Sequence, residues 1–575
     1  MAETLDKVDV VTVGVGWTGG IVAAEAAKAG LSVVGLERGK SRDTEDYQHV
    51  HDEFRYGIRY ELMQDTSKET ITFRNSRDER ALPMRRMGSF LLGENIGGAG
   101  THWNGQTWRF LPYDFEIRSM TEERYGEEKL GDDEGHRWQD WGITYDELEP
   151  YFTQFDLTIG LAGEENPLGG HRSEPFPTPP MIETPMLKLF KDAANGMGLH
   201  AHMMPSANMT EQYTNPDGQT LQPCQYCGFC ERFACEYDAK SSPETTVIPT
   251  ALETGNFKIR TEANVVEVLT DEDDDSLVSG VRFIDTLSGE EFIQPADIVV
   301  LNSYVFNNYK LLRISDIGEQ YDPETEEGTL GRNYGYQTFG GARGFFDTQF
   351  NTFMGAGALG AGLDDYNGDE FDHEDLNFLH GGNIAVTQTG SRPIATNITR
   401  PGTKNWGAEF KKETVENFTR TIRVQGQCAT TPHKDNYLDI DEDYEDAYGL
   451  PLVKLTYNFT ESDRDRTEYL AERCAEILEE MGAEEIAVDE RMGDYDIVPY
   501  QSTHNTGGTV MGDDPETSVV NNYLQHWDRD NLFVVGAGNF PHNSGYNPTS
   551  TVGALAYRCA DGVIQYSENG GRLED

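Results

Sequence analysis

Lysine is scarce in this chain. Only 15 of its 46 basic residues are lysines, the rest are arginines, and they face 100 acidic residues, for a formal charge of −54. A field of that sign repels phosphate backbones and anionic headgroups, which sets nucleic-acid binding aside as a function class. Cysteine is scarce as well, with seven in 575 residues, too few for a disulfide scaffold. No run of about 18 apolar residues occurs, so no segment reads as a membrane-spanning helix. The opening residues, MAETLDKVDVV, carry neither the basic region nor the apolar region of a secretory signal. Core-forming material is not lacking. Hydrophobic residues make up 37% and aromatic residues 11%, and both run throughout, so the acid is not one disordered tail. The length allows roughly two to four domains. Acid spread over a globular surface, with little lysine, points to a halophilic source, where salt screens the self-repulsion.

The chain opens on a nucleotide-binding pattern. The apolar run DVVTV, Asp9 to Val13, leads to Gly14-Val15-Gly16-Trp17-Thr18-Gly19, then to the helix-like IVAAEAAKAG and the second run LSVVGLERG. This order predicts strand, turn, helix, strand. In such a GxGxxG unit Gly14 permits the tight turn, Gly16 lets the backbone approach a pyrophosphate, and Gly19 lets helix and strand pack closely. The helix N-terminus offers free N–H groups and a favourable dipole to phosphates. Glu37 ends the second run, where it is placed to bond ribose hydroxyls. The motif alone does not separate NAD from FAD. Further strands are predicted in FKIRTEANVVEVL, VSGVRFIDT, DIVVL and NLFVVGAG, with Asp271 to Asp275 as a solvated hairpin tip. From roughly residue 335 to 500, Gly-rich loops and β-like runs mix with one clear helix, in which Leu470, Cys474, Ile477, Leu478 and Met481 share a face. A final helix is predicted in TVGALAYRCADGVI, and no internal repeat is visible.

Four of the seven cysteines fall within twelve residues. Cys224, Cys227, Cys230 and Cys235 form C-x2-C-x2-C-x4-C. Thiolates this dense bind soft metals, and the spacing is nearer to iron–sulfur ligation than to a zinc ribbon, whose two CxxC pairs need a long spacer. Iron–sulfur, zinc and unliganded thiols all remain open at this point, in that order of preference. Cys428, Cys474 and Cys559 read as core residues.

The stretches GGAGTHWNGQTWRF, CQYCGFCERFACE, LGRNYG, THNTGGTVMG and GYNPTSTVGALAY together resemble the glucose–methanol–choline (GMC) oxidoreductase family. Within it they are most similar to the branch holding the flavoprotein subunits of gluconate 2-dehydrogenase and fructose dehydrogenase. The order is the family's, and the likeness runs from Gly14 to near residue 560. Two features depart from it. Gly536-Ala537-Gly538 stands where many members carry an Asp, and DIVVLNSYVFNN lacks the usual small-residue run.

The resemblance implies an α/β fold of two domains. A βαβ-based FAD domain would take residues 1–110, 240–330 and 500–575. A sheet-and-helix substrate domain would take 111–239 and 331–499, including the cysteines at 224–235. His504 and Asn547 would be the catalytic pair, an imidazole to accept the hydroxyl proton and a neutral amide to steer the substrate oxygen. Gly14, Gly16, Gly19, Glu37, Gly98, His102, Asn104, Gly105, Val265, Gly538 and Thr549 would contact FAD, and His102 stands where some relatives bond the flavin covalently and others only pack against it. His542 would line the pocket. The cysteines would hold an iron–sulfur cluster, 3Fe–4S in the relatives. The implied activity is dehydrogenation of a sugar, polyol or sugar acid. Electrons would leave through the cluster to a haem or quinone acceptor, in company with a small subunit. The alternatives are an oxidase that makes peroxide and a flavin subunit without turnover. Localisation stays open between the membrane periphery, export with a signal-bearing partner, and the cytoplasm.

Overall fold

A computed structural model describes residues 2–47, 51–350, 352–390, 394 and 396–573. The apolar runs at the start, middle and end of the chain assemble one sheet of eight strands. At its centre Val8–Val13 lies parallel to Val33–Leu36 on one side and to Glu291–Leu301 on the other. Leu532–Val534 also pairs with Glu291–Leu301, in parallel. Strands covered on both faces read as near-continuous hydrophobic runs, and Val10, Val11, Val299, Val300, Leu301 and Phe533 are fully buried here. The helix Trp17–Lys28 follows the central strand and packs against the last helix, Thr549–Asn569. Residues 257–270 form two strands instead of one run, because the chain turns at Glu262, whose φ is +56°. The acidic Asp271 to Asp275 lies at the tip between Ala263–Thr270 and Val278–Asp285, which pair antiparallel as expected.

A second sheet has six strands in the order Glu485–Val488, Thr338–Phe345, Thr421–Cys428, Gly382–Thr387, Gly360–Leu363, His202–Met203. The predicted long helix, Glu461–Glu480, covers it, and Leu470, Cys474, Ile477 and Leu478 are fully buried beneath it. A third sheet joins Tyr437–Glu445 and Pro451–Thr456 to the early strands Ile71–Arg74 and Leu82–Pro83. The stretch between Phe110 and the cysteines, legible only as punctuated by Pro and Gly, contains the helices Tyr145–Ile159 and Pro185–Gly196. Each has a threonine cap. Thr144 and Glu147 close a capping box, and Thr184 precedes a proline at the first helical position. Among the described residues no helix is long and apolar enough to cross a membrane.

Candidate active site

A cavity of about 920 Å³ runs between the first and second sheets, from the Gly14 turn to His504 and Asn547. The three motif glycines have different surroundings. A Cβ on Gly19 would lie 2.0 Å from the Gly14 carbonyl oxygen, so that glycine serves helix–strand packing and does not line the cavity. Gly14 has φ +98° and would press a Cβ against the Asn302 carbonyl at 2.8 Å. Gly16 lines the cavity, and a Cβ there would meet only the Gly97 carbonyl at 3.7 Å. Protein packing does not require glycine at Gly16, and its bare backbone leaves room for close approach by a ligand.

Glu37 also lines the cavity, but its carboxylate is engaged. It accepts from Val15 N at 3.0 Å and from Gly39 N at 2.8 Å, bracing the turn, while burial raises its pKa. Gly98, His102, Asn104, Val265 and Thr549 line the same cavity. Asn104 Oδ1 accepts from Gln106 N at 2.9 Å. Gly105 and Gly538 stand back from it. A Cβ on Gly105 would face Asn208, and one on Gly538 would lie 2.6 Å from Thr509 Oγ1. Gly105 also has φ +88°, a left-handed conformation that favours glycine.

Among the described residues, the buried polar atoms of cavity-lining side chains that have no hydrogen-bond partner include Trp17 Nε1, His102 Nε2, Asn302 Oδ1, Gln427 Nε2 and Asn547 Oδ1. Orphans of this kind are expensive unless a ligand satisfies them. With Gly16, they fit a large polar cofactor. Burial, and then the Lys240 charge, push the His102 pKa down to about 3, so its imidazole is neutral.

At the far end His504 and Asn547 meet. Asn547 Nδ2 lies 3.1 Å from His504 Nε2. His504 Nδ1 is hydrogen-bonded to Gln337 Oε1. The Gln337 amide donates to the carbonyls of Ser544 and of Tyr546, the latter at 3.0 Å. Asn543 Nδ2 donates to the His504 carbonyl at 2.8 Å, pinning the loop. Burial alone lowers the His504 pKa to about 3, so the ring is an unprotonated base near neutral pH. His542 lies apart from this cavity, bonded to Trp141 Nε1 at 3.1 Å and to the Asp114 carbonyl at 2.9 Å. Gln337 and Asn543 had no signal in the sequence.

All four clustered cysteines line one small hollow with Asn208 and Lys240. Burial raises the thiol pKa of Cys227, and pushes those of Cys224 and Cys230 up to about 11 and about 12. Buried Lys240 donates to the carbonyls of Trp103, Cys230 and Phe233 at 2.6, 3.1 and 2.8 Å. Among the described residues no three His, Cys, Asp or Glu form a group that could hold a metal. The expected ligand set is thus gathered round one hollow without being closed into a metal site. Soft sulfur donors beside a buried cation suit an anionic cluster.

Family models of the GMC oxidoreductases match residues 136–338 and 432–556. The gluconate 2-dehydrogenase flavoprotein of Pantoea cypripedii is 39% identical, over 100% of this chain and 96% of its own length. The fructose dehydrogenase large subunit of Gluconobacter japonicus is 25% identical over 99% of both chains. The 2-methyl-1,2-propanediol dehydrogenase of Mycolicibacterium austroafricanum is 27% identical over 98% of this chain and 96% of its own. Among solved structures, pyridoxine 4-oxidase from Mesorbium loti superposes with a TM-score of 0.60 at 17% identity, covering 98% of this chain and 99% of that one.

Proposed function

Because the chain belongs to the GMC oxidoreductase family, with its two-domain fold, its FAD and its activity on CH–OH groups, we propose that it is a dehydrogenase of a sugar, polyol or sugar acid. The observation that carries the reading is the His504–Asn547 contact, on the wall of the cavity that begins at the Gly14 turn. FAD, when bound, supplies the acceptor for the hydride that leaves the alcohol carbon. Trp17, Asn302 and the N–H groups at the start of Trp17–Lys28 would hold it, with Gly16 giving room. A substrate hydroxyl within reach of both catalytic side chains accepts a hydrogen bond from Asn547 Nδ2 and gives its proton to His504 Nε2. Asn547 stays neutral and does not compete for that proton.

Cys224, Cys227, Cys230 and Cys235 would hold an iron–sulfur cluster, which supplies one-electron transfer toward a haem or quinone partner. Their shared hollow and the buried Lys240 support this. The FAD domain is best drawn as residues 1–110, 240–330 and 500–575, since all eight strands of the first sheet fall there. Charge of −54 fits work in molar salt.

Anaerobic titration of the purified flavoprotein with a panel of sugars, polyols and sugar acids tests the reading. Bleaching of the flavin by at least one member is expected, with little peroxide in air. No bleaching by any of them would overturn it. Iron analysis tests the cluster: Cys230→Ser should lose iron and slow turnover with one-electron acceptors, yet keep single-turnover bleaching. Zinc without iron in the parent protein would remove the relay and favour a peroxide-forming oxidase.

A further inference from the structure

The amide of Gln337 is held in one orientation by the protein around it. Gln337 is fully buried, between the short strand Gly335–Tyr336 and the strand Thr338–Phe345. Gly335–Tyr336 pairs with Asn505–Thr506, which follows directly on His504. The Gln337 NH2 group faces two backbone carbonyls, those of Ser544 and Tyr546. Carbonyl oxygens only accept, so the nitrogen must face them, and a flipped amide would set oxygen against oxygen twice. The Gln337 oxygen is then the atom that faces His504 Nδ1. An oxygen acceptor demands a donor there.

We infer that Gln337 is a positioning residue that fixes the tautomer of His504, with the proton on Nδ1 and the lone pair on Nε2. Acting through His504, it turns a bare nitrogen toward Asn547 and the substrate hydroxyl. When the hydroxyl proton moves to Nε2, the ring becomes an imidazolium whose Nδ1–H still donates to Gln337; the hydride from the carbon bearing that hydroxyl would go to the flavin when bound. A neutral amide orients the ring without adding charge. An aspartate or glutamate in that place would also hold the imidazolium and make the resting base harder to keep free. Nothing charged takes that part here. Burial is the sole cause of the lowered His504 pKa. Among the described residues of the packed elements, the Tyr304, Tyr334 and Tyr336 hydroxyls bond Asn505 and Ser502, not the ring; Arg343, on the strand Thr338–Phe345, lines the same cavity, and Tyr546 meets Gln337 through its carbonyl. Asp114 accepts from Ser544 Oγ at 3.0 Å.

The inference rests on the reading of His504 as base, and the two fail separately. Nitrogen-15 NMR of histidine-labelled holoenzyme reports the tautomer without any turnover. The His504 signal, one of 13 histidines, is identified as the one lost in His504→Ala. Nδ1 is expected at a protonated shift and Nε2 at an unprotonated one. Gln337→Met, similar in length but without an acceptor, should mix the tautomers and lower kcat about tenfold or more with KM little changed. Gln337→Glu should move the acidic limb of kcat to higher pH, because an ionised glutamate raises the pKa of a ring that works only when neutral. Protonation of Nε2 in the parent enzyme would overturn the assignment, and so would an unchanged tautomer in Gln337→Met. If Gln337→Met does not hold flavin, the parent spectrum alone decides. Undiminished flavin reduction in His504→Ala would instead sink the base and leave the tautomer standing.

Discussion

At the scale of single residues, His102 carries the sharpest open chemistry. It lines the cavity, its Nε2 is buried and without a partner, and burial keeps the ring neutral. A neutral imidazole nitrogen with no competing hydrogen bond is the nucleophilic form of the residue. Acid precipitation of the holoprotein is therefore expected to leave the flavin on the pellet, and His102→Ala to release it into the supernatant. A colourless pellet from the parent protein would make the contact non-covalent. His102, His504 and Asn547 were legible because each sits inside a short motif. Gln337 was not, since its role comes from Ser544 and Tyr546, about two hundred positions away, and no local pattern encodes a contact of that range. Gly105 and Gly538 show the opposite limit. Both stand in cofactor-like motifs, yet neither lines the cavity: Gly105 adopts a left-handed φ of +88°, and a Cβ on Gly538 would crowd Thr509.

At the scale of elements, the Gly14 turn separates two demands that the sequence motif merges. Gly19 answers to packing, with Gly14 O only 2.0 Å from any added Cβ, whereas Gly16 has room for a methyl group. Gly19→Ala should lower the melting temperature, at a cost of about 1–3 kcal/mol for overpacking. Gly16→Ala should melt like the parent but incorporate less flavin on expression, read as the flavin-to-protein absorbance ratio. Equal flavin content in both variants would contradict this division. The buried strands and the helix Glu461–Glu480 were readable because each buries one continuous run or one face. Tyr145–Ile159 and Pro185–Gly196 were missed because prolines at Pro150 and Pro185 looked like breaks. Pro185 in fact opens its helix, where the missing N–H costs nothing.

At the scale of the whole molecule, charge dominates. With −54 spread over the surface, self-repulsion weakens as the Debye length falls from about 10 Å at 0.1 M salt to about 3 Å at 1 M. The melting temperature should rise from low to molar KCl; a flat or falling series would contradict adaptation to salt. The two sheets meet at one cavity, with the Gly14 turn at one end and the His504–Asn547 pair, proposed here to oxidise the alcohol, at the other. The direct test is anaerobic stopped-flow reduction of the flavin by an active substrate, in the parent enzyme and in His504→Ala at equal flavin content. The variant should keep its flavin and reduce it at least about 100-fold more slowly, the worth of a positioned general base. Reduction at nearly the parent rate would remove His504 from the chemistry, and the His504–Asn547 pair would not be the catalytic pair.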